Sequence, residues 1–296
     1  MPWYLPTRMP LFWDELRRRV RGGRGQVVLL VYGLVLLGLL IIDSLIFAQH
    51  LAAYSPTSGP GFSRNWAEFG RQLWQWALVL QLVIVILISP GLTATAISGE
   101  REHGTLDLLL LTPMGILPLV VGKFLGAIGQ MLLVVLSGLP VISAVFIYGG
   151  VSPQEVIWGY ALIMATGMLY AAVGFLASSF SRRTIPAIAW AYGSTLAILV
   201  GIPLLYVLLL MVDQAPAPDT LSAFVGNPFL LLIADGESLL RYAFTVLAFL
   251  LETFALITLS LIIIRRRQDC LPLFSRRISL ESARRLSRRP DKTLPY

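Results

Sequence analysis

The sequence predicts an all-α integral membrane protein that crosses the bilayer six times. Three observations lead there. Hydrophobic residues make up 56% of the 296 and charged residues only 13%. The charges are gathered into short stretches, and six nearly uncharged runs between them are long enough to span lipid. A soluble domain carries roughly 25% charge, and it has no means of hiding this much apolar surface from water.

The same composition excludes several classes of function. The net charge of +7 sits at the edges of apolar runs, so it is not a nucleic-acid footprint. Cys270 is the single cysteine, which rules out an intrachain disulfide or a paired-cysteine metal site. His50 and His103 are far apart and show no metal-ligand spacing.

The chain divides into a cytoplasmic N-terminus (1–25), a six-span membrane domain (26–264) and a basic cytoplasmic tail (265–296). In the first part Phe12, Leu16 and Val20 recur at helical spacing while Arg17, Arg18 and Arg21 point elsewhere. That pattern makes an amphipathic interfacial helix with its arginines toward anionic headgroups, or at the least a topology signal. Gly22 and Gly23 end it.

A helix rises 1.5 Å per residue, so a hydrocarbon core of roughly 30 Å takes about 20 apolar residues. Residues 26–48, 73–97, 116–148, 156–180, 185–212 and 242–264 meet that test. Helix is the state they must take, because an isolated strand in lipid leaves its backbone polar groups unpaired. The first run is too long for a secretory signal and has no convincing cleavage site, so it reads as an anchor. Of the 23 Lys and Arg residues, only Arg64, Arg71 and Arg241 fall outside if both termini are cytoplasmic, which fixes the orientation. The outer connections are then 49–72, 149–155 and 213–241, and the inner ones 98–115 and 181–184. None has room for a soluble catalytic domain.

The connection 98–115 is the most particular. Pro90 and Gly91 can kink the second span, and Gly99 can loosen its exit. A charged cluster, Glu100, Arg101, Glu102 and His103, is closed by Gly104. Thr105 is placed to cap a new short apolar helix, with Asp107 in its first turn and Pro113 near its end. The result is a charged elbow followed by a stiff helix of roughly two turns, where an ordinary solvated loop would be flexible.

On these residues the sequence resembles the ABC-2 family of ABC-transporter permeases. Their second and third spans are joined by Glu-Arg-Glu-x-Gly-Thr-Leu-x-x-Leu-Leu-x-Thr-Pro, followed soon after by Gly-Lys. Here those positions are Glu100, Arg101, Glu102, Gly104, Thr105, Leu106, Leu109, Leu110, Thr112 and Pro113, then Gly122 and Lys123. The stretch from Glu15 to Arg24 also looks like the basic N-terminal motif of permeases grouped with copper-enzyme-maturation exporters. The resemblance implies a type V exporter-like architecture in which this loop sits in a groove of a separate ATP-binding subunit and carries its closure into the membrane. ATP and Mg would then be bound by that partner. The chain itself has no Gly-x-x-x-x-Gly-Lys-Ser/Thr phosphate loop, and Lys123, at a membrane border, reads as snorkelling to the headgroups.

Within the spans, Glu252 lies mid-membrane, where an acidic group costs on the order of 3 kcal/mol. It reads either as a translocation-path residue or as a neutral carboxyl bonded to a neighbouring helix. Asp43, near the outer end of the first span, is a second path candidate that can instead reach water. Gln81 and Gln130 read as interhelical hydrogen bonds. The apolar stretch from Asn227 through Pro228 and Phe229 can dip back into the membrane, and the resembling family has re-entrant helices there, implying an external gate.

The expected function is the permease subunit of an ATP-driven exporter of a hydrophobic or amphipathic substrate, not an enzyme by itself. It would work with an ATP-binding subunit and a second permease copy in the plasma (inner) membrane. The alternative is an accessory subunit that scaffolds a larger complex without transporting anything. An intramembrane enzyme using Asp43 and Glu252 is disfavoured, because no nucleophile and base stand near them in sequence.

Overall fold

Apolar runs with no water around them satisfy their backbone internally, and among the described residues every regular element is a helix. A computed structural model describes residues 23–53, 60–105, 116–201, 203–205, 208, 228–229 and 239–269. The expected interfacial helix, with Phe12, Leu16, Arg17, Arg18, Val20 and Arg21, lies outside the described residues. So do Leu106, Asp107, Thr112, Pro113 and Asn227, and the tail beyond 269.

The helices are α1 (Gly23–Ala53), α2 (Pro60–Ala94), the short α3 (Ser98–Glu102), α4 (Ile116–Leu136), α5 (Leu139–Tyr148), α6 (Pro153–Phe180), α7 (Thr184–Leu196) and α8 (Leu239–Asp269). Five described segments are long and apolar enough to cross a membrane: Trp66–Glu102, Leu117–Leu136, Pro153–Phe180, Thr184–Leu205 and Tyr242–Arg266.

Three boundaries depart from the sequence reading. Much of 49–72, expected as an outer loop, is helical, because α1 runs to Ala53 and α2 starts at Pro60. Proline suits a helix start, where its missing N–H has no partner to lose. The added turns of α2 also carry Trp66 and Phe69, whose rings pack on Tyr148 at 5.7 and 4.9 Å between centroids.

The apolar run 116–148 is two helices, parted at Ser137 and Gly138. Pro140 sits in the first turn of α5, and Gln81 reaches over from α2 to donate to the Val135 carbonyl at 2.9 Å. That cross-helix bond is the one Gln81 was expected to make. The third departure is at the end of α7, which passes into a π-helical turn over Ala197–Gly201.

The bundle is organised around α6, which packs most extensively on α2 and α8. Within the chain 78% of the α6 span is buried, against 12% for the α7 span and 22% for α8. The latter two therefore turn most of their apolar surface outward. Lipid tails are as apolar as leucine, so contacts in such a bundle are held by close packing and hydrogen bonds. Small residues let α6 approach closely: a Cβ on Gly174 would stand 2.5 Å from the Pro90 carbonyl oxygen of α2. Tyr170, Phe175 and Phe249 are fully buried around this axis.

The two ends of the bundle differ in chemistry. One gathers aromatic pairs, Trp66 with Tyr148 and Trp74 with Tyr160, of the kind that sits at a membrane–water boundary. The other carries α3 and the charges that surround it.

Candidate functional site

Near its charged end α2 is tied to α6 by the Thr93 hydroxyl, which donates to the Ala171 carbonyl at 2.6 Å. One turn further the helical ladder is interrupted over Thr95, Ala96 and Ile97. The N–H groups of Ile97 and Ser98, turned away from their own helix, both donate to the Ser178 hydroxyl oxygen of α6 at 2.9 Å. A single buried side chain thus satisfies the start of α3.

Gly104 ends α3 with φ +70°, in the left-handed region that favours glycine. The Thr105 N–H reaches the Glu100 carbonyl at 2.9 Å and the Gly104 N–H reaches that of Arg101 at 3.2 Å. This is the paired bonding of a Schellman cap, which locks the turn.

The expected docking charges of this elbow are engaged within the chain. Glu100 accepts from Lys123 Nζ of α4 at 3.0 Å and from the Thr105 hydroxyl. Arg101 donates to the main-chain carbonyls of Ser181 and, at 3.3 Å, Ser179. Glu102 accepts from the Thr184 N–H at 2.9 Å and from the Thr184 hydroxyl, so it caps the first turn of α7. An acidic side chain at a helix N-terminus meets the unpaired N–H groups and the positive end of the dipole together.

The reading of Lys123 as a snorkelling residue is corrected by this geometry. Only 6% of it is exposed, and it points to Glu100. Carboxylate attraction and a shared hydrogen bond outweigh hydration once the ammonium lies between packed helices.

Of the expected elbow, the charged cluster closed by Gly104 is seen, and the apolar helix after Thr105 lies outside the described residues; the partners of the cluster, Lys123, Ser178, the 179–181 backbone and Thr184, were not foreseen. The signal was present in the tight 181–184 link between two long spans, which has to lie beside its neighbour. Single serines and backbone carbonyls carry no motif, however, so nothing marked them out.

The other candidates stand elsewhere. Glu252 is half-buried on α8. Asp43 belongs to α1, and its side chain lies outside the described residues. Pro228 is buried, and Phe229 packs against the cluster of Leu73, Trp74, Leu78 and Tyr170, close to the aromatic end. The structure does not bring these residues together with the elbow.

Hydrogen bonds from α3 reach α4, α6 and α7 at once. A family model described as ABC-2 family transporter protein matches residues 9–267. A search of curated proteins finds no match to the chain.

Proposed function

The chain belongs to the ABC-2 transporter family, and from that premise we propose that it is the permease subunit of an ATP-driven exporter whose force enters through the elbow at Glu100, Arg101, Glu102, Gly104 and Thr105. The observation that carries this reading is the grip of α3 on α4, α6 and α7. A coupling lever has to be stiff and has to move several spans together. ATP and Mg belong to a separate ATP-binding subunit, which docks on the elbow and on the segment following Thr105.

In this reading α1 is a sixth span, the elbow end faces the cytoplasm of a plasma (inner) membrane, and both termini lie on that side. The outward apolar faces of α7 and α8 meet lipid and a second permease copy. The cargo is hydrophobic or amphipathic, with Glu252 and Asp43 along its path and the region of Pro228 and Phe229 gating the far exit.

The test is copurification with an ATP-binding subunit, followed by ATP hydrolysis measured against a panel of amphiphiles. Charge reversal of Glu100 and Glu102 together should abolish stimulated hydrolysis while membrane insertion persists. Unchanged stimulation would sink the lever.

A further inference from the structure

The break between α2 and α3 is an exchange of hydrogen bonds. In an unbroken helix the N–H of Ile97 would reach the Thr93 carbonyl and that of Ser98 the Ala94 carbonyl. Both carbonyls are taken by other donors: Thr93 accepts from the Ala96 N–H at 3.0 Å and Ala94 from the Ser98 hydroxyl at 2.9 Å. Both N–H groups go to Ser178 instead. A side chain inserted into the ladder is one of the few causes of a sharp helix bend, and here the inserted oxygen comes from a different helix.

We propose that Ser178 is the positioning residue of the elbow: its hydroxyl holds open the interruption between α2 and α3, and releasing it lets the two helices rejoin. The N–H groups of Ala96, Ile97 and Ser98 have one bond each in either arrangement. In the interrupted form they go to the Thr93 carbonyl and, twice, to Ser178, while the Ser98 hydroxyl takes the Ala94 carbonyl. In the continuous form they return to the carbonyls of Leu92, Thr93 and Ala94, the last shared with the Ser98 hydroxyl. A hydrogen bond exchanged for another contributes little net, so this exchange leaves the two forms close enough for a docking partner to select between them.

The site is also built so that only the oxygen matters. Ser178 is fully buried, and its neighbour Ser179, equally buried, donates its hydroxyl to the Phe175 carbonyl of its own helix. Ser179 is therefore an internal control one residue away. Its hydroxyl lies on the same helix end but takes no part in the interruption.

The geometric half of this inference stands alone, and its functional half rests on the coupling role proposed above. The experiment uses the full chain in lipid nanodiscs, with Cys270 replaced by serine and spin labels at His103 and Arg182, both exposed. Ser178→Ala should move the label distance to a longer and broader distribution. Ser179→Ala should leave it unchanged, and Ser178→Thr, which keeps the oxygen, should restore it. Ser98→Ala frees the Ala94 carbonyl and should move the distance in the same direction as Ser178→Ala.

If Ser178→Ala and Ser98→Ala both keep the parent distribution, the pivot is overturned. With an ATP-binding subunit bound, Ser178→Ala should also lose stimulated hydrolysis. A moved elbow with unchanged hydrolysis would support the pivot and overturn the coupling role.

Discussion

Lys123 Nζ lies 3.0 Å from Glu100 Oε1, and the two partners differ in their access to water: the lysine side chain is 7% exposed and the glutamate 32%. That asymmetry sets what each substitution does. Glu100→Gln leaves a buried ammonium without its counter-charge and should cost about 1–3 kcal/mol, between the values for exposed and fully buried pairs. Lys123→Met should cost less, because Glu100 keeps the Thr105 hydroxyl and some water. The double variant should recover part of the loss, measured as unfolding midpoints in detergent.

Glu102 supplies the cap that Arg183, the residue preceding α7, does not. Glu102→Ala should loosen the first turn of α7, read as faster amide exchange at residues 184–187. Thr184→Val, which keeps the N–H and removes the hydroxyl, should give a smaller increase.

Gly174 and Gly33 provide a matched pair of glycine substitutions. A Cβ on Gly174 meets the Pro90 carbonyl and the Thr93 hydroxyl at 2.5 Å each, whereas one on Gly33 meets nothing within 4 Å. Gly174→Ala should force α6 away from α2 at about 1–3 kcal/mol, the usual range for overpacking. Gly33→Ala should be neutral or stabilising by up to about 1 kcal/mol, from helix propensity alone. Thermal denaturation of the two variants side by side checks the contrast.

Tyr32 Oη is buried with no hydrogen-bond partner among the described residues. An unsatisfied buried hydroxyl carries a penalty of about 1–3 kcal/mol, which Tyr32→Phe removes while filling the same space. The phenylalanine variant should therefore denature at a higher temperature. A lower midpoint would mean the hydroxyl has an ordered partner.

The sequence made the helical class plain because hydropathy is a property of whole segments, and twenty apolar residues leave the backbone no other choice. Boundaries were less legible. Pro60 and Trp66 carry α2 well past its apolar run, and at the break over Ser137 and Gly138 the Val135 carbonyl accepts from Gln81 of another helix, 54 residues away. The elbow was legible because glycine, threonine and three charges stand in a row. Its receptor was not, since Ser178 is an ordinary residue until the fold places it opposite two N–H groups. Lys123 was misread for the same reason: nothing near it in the chain announces Glu100.

Arg101 sets its guanidinium on the main-chain carbonyls of Ser179 and Ser181. Those oxygens are common to every amino acid. Exchanging the residues at 179 and 181 can therefore leave this clasp intact, while lysine at 101, with one rounded head in place of a flat fork, cannot copy it. A saturation screen at 101, 179 and 181 would find this clasp far less tolerant at 101 than at the two carbonyl positions.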